Sequence, residues 1–183
     1  VFSNPIFHPD STEDDTLEDS FKKGMVKPYV IKEIQGIRIG IFGIFGKDAA
    51  EVSPFARPMK FRDPIETSRE MLKTLKEKEK VHWVICLSHG GLRENKSFSE
   101  DDRLAKEVPG IDLIVGGHSH TKLKNPLMVN QTMIVQAGGH GEYVGVLDLA
   151  YENGKMRLKG YKLVEIDDSI QADEKIQEKV ESY

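Results

Sequence analysis

Three histidines in this chain stand where they could hold metal ions together. His89 closes the apolar run Trp83-Val84-Ile85-Cys86-Leu87-Ser88, and His118 and His120 follow Leu113-Ile114-Val115-Gly116-Gly117. In α/β sheets ligands collect beyond the carboxyl ends of the strands, so strands ending at these points would carry all three imidazoles to one edge. Residues two apart in an extended chain project the same way, which puts His118 and His120 on a shared face. Imidazoles so placed suit one metal centre or two adjacent ions. The pairs Gly90-Gly91 and Gly116-Gly117 remove side-chain bulk beside these candidates and leave room for an ion with its substrate.

Arg93 and Lys96 follow His89 closely enough to meet a phosphate, and His140 lies in the glycine-rich bend Gly138-Gly139-His140-Gly141-Glu142. All three are candidate substrate contacts. His8 and His82 read as surface or packing residues. Cys86 reads as apolar filling within its strand, because no activating partner is visible near it.

The elements that must position these residues follow from periodicity and punctuation. Tyr29 to Ile34 and Ile37 to Ile44 read as a hairpin turning at Gln35-Gly36, its second strand buried on both faces. Residues 8 to 24, rich in Asp, Glu, Ser and Thr, read as a solvated loop, and the proline-punctuated stretch from Gly46 to Pro64 as irregular. Ile65 to Lys80 places Ile65, Met71, Leu72 and Leu75 on one helical face. His82 to Ser88 suits an interior strand, and an acidic start at Ser99-Glu100-Asp101-Asp102 opens a helix that Pro109-Gly110 stops. Ile111 to Val115 supplies another buried strand. Strands follow at Leu127 to Ala137 and Tyr143 to Tyr151, and Asn153-Gly154 signals a type I′ turn into Lys155 to Ile166. The tail from Ile170 to Tyr183 reads as helical. Alternating strands and helices followed by hairpins predict an α/β sandwich with a mixed sheet.

The chain has 183 residues, 38% apolar and 31% charged, enough for one ordinary globular domain. A formal net charge of −4 gives no cationic surface of the kind polymeric nucleic acid requires. No apolar run approaches the roughly 20 residues of a membrane span, and the N-terminus lacks a signal-peptide pattern. One cysteine neither indicates nor excludes an oxidising compartment. The opening Val1-Phe2-Ser3-Asn4, with the first methionine at Met25, leads us to expect that an N-terminal portion precedes it.

Leu87-Ser88-His89-Gly90-Gly91, followed by Val115-Gly116-Gly117-His118-Ser119-His120-Thr121, resembles the last two metal motifs of the calcineurin-like metallophosphoesterases, and within that superfamily the 5'-nucleotidase group. Lys27-Pro28-Tyr29, Gln136-Ala137-Gly138-Gly139, Glu142-Tyr143-Val144-Gly145 and Ile166-Asp167-Asp168-Ser169 carry the likeness through most of the chain. The resemblance implies part of an α/β/β/α sandwich and a centre of two divalent ions, zinc, manganese or iron. His89 and His118 would serve one ion and His120 its neighbour, where the family often places an amide. It implies water-driven hydrolysis of nucleoside 5'-phosphates or related esters, and a periplasmic or cell-surface address. Residues 1–168 would be the C-terminal half of the catalytic domain, and 169–183 a linker helix toward a further domain.

The family's Asp-x-His, Gly-Asp and Gly-Asn-His motifs do not occur in the 183 residues. Half a ligand set predicts weak metal binding and little hydrolysis by this chain alone. Alternative readings are a catalytically incomplete metal-binding module and a 2',3'-cyclic nucleotide phosphodiesterase on the same fold. Removing the first strands of a two-sheet sandwich would expose apolar surface, so a homodimer of the chain is also expected.

Overall fold

The computed structural model describes residues 1–93 and 99–183. Six strands form its central mixed sheet: β2 (Tyr29–Ile34), β3 (Ile37–Phe45), β5 (Trp83–His89), β6 (Leu113–Gly116), β7 (Leu127–Val129) and β8 (Thr132–Val135). They lie in the order β2-β3-β5-β6-β8-β7. β3, β5, β6 and β8 run parallel, while β2 and β7 close the two edges as antiparallel hairpin partners. Four carboxyl ends therefore open on one side.

The parallel strands need crossovers, and helices α3 (Pro64–Lys73) and α4 (Glu100–Glu107) supply them. Asp63 starts α3, its carboxylate accepting from the amides of Ile65 and Glu66 at 2.9 and 3.0 Å, with Pro64 in the first turn. After α3 the chain widens into a π-helical turn, Thr74–Lys78, which buries Leu75 completely. Against these helices Phe42, Val84, Ile114 and Ile134 leave no exposed surface. Burying each such side chain is worth about 1.5–3 kcal/mol, so this is the layer that holds the strand ends in register.

Side chains alternate along each strand, so the opposite face carries Ile85, Leu113, Met133 and Val135. These meet Leu147, Leu149, Met156 and Tyr161 from the long hairpin of β9 (Tyr143–Glu152) and β10 (Lys155–Glu165). Helix, sheet and hairpin stack as layers of an α/β sandwich. Toward the carboxyl edge the cover ends, leaving Leu87 42% and Val115 38% exposed.

Most expected elements are present, with three differences. The acidic stretch contains helix α1 (Asp15–Lys22), supported by Lys22 Nζ on Glu18 at 2.9 Å and by Phe21 packing on Phe2 and Phe7. The segment from Gly46 to Pro64 holds a short helix α2 (Lys47–Glu51), a 3-10 turn at Pro54–Ala56 and β4 (Lys60–Phe61), which pairs with β1 (Pro5–Ile6). Leu127 to Ala137 is not one strand but β7 and β8, because Asn130 turns the chain with φ of 54°. α5 (Glu174–Glu181) closes the chain and buries none of its residues.

Candidate metal centre

The parallel register sets the site. Phe45 pairs with His89 and Ser88 with Gly116, so β3, β5 and β6 end level with one another. Just past those ends lie Asp48 in α2, His89 as the last residue of β5, and His118 and His120 after β6. His89 stacks on Phe45 with ring centres 5.5 Å apart and planes 3° from parallel. Its ring centre is also 5.1 Å from that of His118. Gly117 permits this approach, since a Cβ there would sit 3.1 Å from His89 Nδ1.

His118 is held from the helix that follows β3. Its Nε2 lies 2.7 Å from Asp48 Oδ2, and the Arg93 guanidinium donates to the same carboxylate oxygen. The hydrogen bond to His118, with Arg93 added and burial opposing, keeps the Asp48 carboxyl below the usual range. With Nε2 engaged by Asp48, Nδ1 is the ring nitrogen of His118 left for another partner. Carboxylate support of this kind orients histidines that bind metals. Burial against Phe45, together with repulsion from His118 and His120, lowers the pKa of His89, so its imidazole is neutral at neutral pH and able to donate a lone pair.

Part-buried hydrogen bonds lock the two histidine loops to each other. Ser119, between His118 and His120, accepts the Leu92 amide at 2.9 Å and donates to Gln136 Oε1 at 3.2 Å. Gln136 Nε2 donates to the Gly117 carbonyl at 3.0 Å, and the Thr121 hydroxyl donates to the Leu92 carbonyl at 3.1 Å. Below His89, the Ser88 hydroxyl donates to Asp101 Oδ1 at 2.5 Å. Glu100 accepts the amides of Lys47 and Asp48 at 2.9 and 2.8 Å, tying the start of α2 to α4.

Among the described residues, no group of three or more His, Cys, Asp or Glu side chains converges closely enough to hold one ion. The imidazoles come as two pairs, His89 with His118 at 5.1 Å and His120 with His140 at 4.7 Å. With nitrogens about 2.1 Å from a shared ion, two imidazole centres stand about 4.5–5.3 Å apart for donor angles between octahedral and tetrahedral. The spacing of the first pair fits a divalent ion. His118, His120 and His140 also adopt left-handed backbone, with φ of 67°, 52° and 57°. Such strain in residues other than glycine gathers at functional sites.

The structure thus brings His89, His118, His120, Arg93 and His140 to one edge. Lys96 lies outside the described residues. Asp48, Ser119, Gln136 and Asp101 are given no site role by sequence; Ser119 and Gln136 lie within the segments that carry the resemblance, and Asp48 just beyond the end of a buried strand. His82 does what is expected of it, accepting the Arg38 amide at 2.9 Å and packing on Tyr151. Among the described residues no helix is long and apolar enough to cross a membrane.

A mixed sheet whose parallel strands end beside paired histidines and a carboxylate has the architecture of a metallophosphoesterase-type α/β protein. Residues 10–122 match the calcineurin-like phosphoesterase family, and the chain belongs to it. It is 34% identical over 134 residues to the trifunctional nucleotide phosphoesterase protein YfkN of Bacillus subtilis, covering 72% of this chain and 9% of that protein. Against a 5'-nucleotidase of Vibrio cholerae it is 32% identical over 169 residues, covering 79% of this chain and 31% of the relative. The solved 5'-nucleotidase precursor from Thermus thermophilus superposes with a TM-score of 0.66 and 28% identity over 89% of this chain and 32% of that one. The solved calcineurin-like phosphoesterase YfkN from Bacillus subtilis gives 0.70 at 18% identity over all of this chain and 61% of that one, a likeness of fold. The chain spans less than a third of the length of these curated relatives.

Proposed function

We propose that this chain contributes His89, His118 and His120 to a two-metal centre that hydrolyses nucleoside 5'-phosphates or closely related phosphate esters. The observation that carries the reading is the pairing of His89 and His118 at 5.1 Å, from loops that Ser119 and Gln136 bind together. Bound divalent ions would polarise the phosphoryl oxygens and lower the pKa of an attacking water. The chain's own residues prepare for this. His89 is neutral and stacked in place, His118 is oriented by Asp48, and His120 stands exposed at the end of the same loop.

Arg93 is the described cation best placed to meet a phosphoryl oxygen, since its guanidinium is already held beside His118 by Asp48. An acidic protein draws little help from its net charge in attracting an anionic ester, so local cations at the site matter more. The names of the relatives support a nucleotide substrate. A place in the periplasm or at the cell surface goes with the same resemblance.

The absence of Asp-x-His, Gly-Asp and Gly-Asn-His segments favours a second reading for these 183 residues, a metal-binding unit that is catalytically incomplete. A single experiment addresses both readings. Assayed with manganese, zinc or iron(II), the 183-residue chain should give near-background hydrolysis of AMP, 2',3'-cyclic AMP and p-nitrophenyl phosphate. In calorimetry it should still bind the metal, and His89→Ala and His118→Ala should each weaken binding at least about tenfold. Robust turnover by the chain would refute its incompleteness. Binding untouched by either substitution would refute the metal centre.

A further inference from the structure

The strand beside β6 in the sheet, β8, delivers a fourth imidazole to the same edge. β8 lies parallel beside β6, with Val115 level with Val135, so the loop from Gln136 onward emerges next to the histidine loop. It turns back over His120. Gly138 donates its amide to the Thr121 carbonyl at 3.1 Å, and Glu142 donates its amide to the Gly139 carbonyl at 3.2 Å. The far end is held by the Lys122 ammonium, 3.4 Å from the centre of the Tyr143 ring.

This loop is shaped around one side chain. A Cβ on Gly139 would come within 2.6 Å of His120 Cγ and 2.8 Å of its Nδ1, so glycine alone lets the backbone pass. The next residue, His140, sets its ring across that of His120 with centres 4.7 Å apart and planes at 76°. Both residues adopt left-handed backbone, which is unfavourable for any side chain beyond glycine. Neither ring makes a hydrogen bond or an ion pair with a described residue, and both residues are exposed. Their spacing falls within the about 4.5–5.3 Å that two imidazoles on one ion require.

We propose that His120 and His140 together hold one divalent transition-metal cation, so that the ion beside the one at His89 and His118 is gripped by the loops after β6 and β8. This rests on the metal-centre reading above. Two imidazole donors favour zinc, cobalt, nickel, copper or iron over magnesium and calcium, which prefer oxygen.

Cobalt(II) titrated into the 183-residue chain, followed by visible absorption and calorimetry, tests the site. His140→Ala and His140→Phe, each checked for folding by circular dichroism, should weaken by at least about tenfold the same binding event that His120→Ala weakens. Both should leave unchanged the event lost in His89→Ala. The phenylalanine variant keeps a ring against His120 but has no donor, so cobalt bound to it as tightly as to the parent would overturn the proposal. If the parent binds cobalt and only His89→Ala and His118→Ala weaken it, this second site fails while the metal reading stands. If the parent binds no cobalt, both fail together.

Discussion

Asp101 shows how the residues beneath the histidines constrain them. It is fully buried, one carboxylate oxygen takes the Ser88 hydroxyl, and the other has no partner among the described residues. Burial raises its pKa to about 6, against the opposing pull of the Ser88 hydroxyl. Unfolded, the group titrates near about 3.9. The folded state therefore binds the extra proton in this window, and the stability it contributes is present below about pH 4 and lost as pH rises through about 6. A gap of about 2 units corresponds to at most about 3 kcal/mol. Asp101→Asn should remove that loss, so urea midpoints of parent and variant should diverge between about pH 4 and 7 in favour of the variant. Identical pH profiles would contradict this role for Asp101.

The same residues show what sequence can disclose. His89, His118 and His120 are legible because each ends an apolar run beside paired glycines. Asp48 is not, because its partner His118 is 70 positions away and no local pattern links them. Ser119 and Gln136 are hidden for the same reason: a hydroxyl between two histidines gains its role only when Leu92 and Gln136 arrive from other strands.

Among the elements, the most legible ones have a local cause. The turn Asn153-Gly154 has φ of 51° and 78°, and Gln35-Gly36 has 51° and 79°, the left-handed pairs that tight hairpins demand. The apolar face of α3 announces it, and Asp63 with Pro64 explains where it begins. The elements that sequence misreads depend on distant partners. α1 resembles a solvated loop because only Phe21 among its side chains finds aromatic company, and Phe2 and Phe7 precede it by more than a turn. β7 and β8 read as one strand because Asn130-Gln131 is a weak turn signal. β8 becomes an inner strand only once it pairs with β6. That pairing places His140 beside His120, as the proposed second metal site requires.

On the scale of the molecule, one face of the sheet is sealed by α3 and α4, and the other is covered only where the β9–β10 hairpin reaches. Leu87 and Val115 stay exposed next to His89, and Val144 and Val146 are 51% and 42% exposed along the hairpin. Leu87 and Val115 share the sheet face that the hairpin leaves bare, whereas Val144 and Val146 alternate with Leu147 and Leu149 and so face away from it. Exposed apolar side chains of this kind favour contact between copies. Light scattering coupled to gel filtration should show the chain associating as its concentration rises, through burial of these side chains. A monomer of constant mass across concentrations would argue that they are tolerated in water.

Divalent ions held between histidines from adjacent strand ends would account for the stacking, the strain and the carboxylate support at this edge. Crystals grown with zinc or manganese and measured at the metal's absorption edge give the most direct answer. The expected result is an anomalous peak about 2.0–2.3 Å from ring nitrogens of His89 and His118, with a neighbouring peak at His120. Crystals saturated with metal that show no ion between His89 and His118 would contradict it.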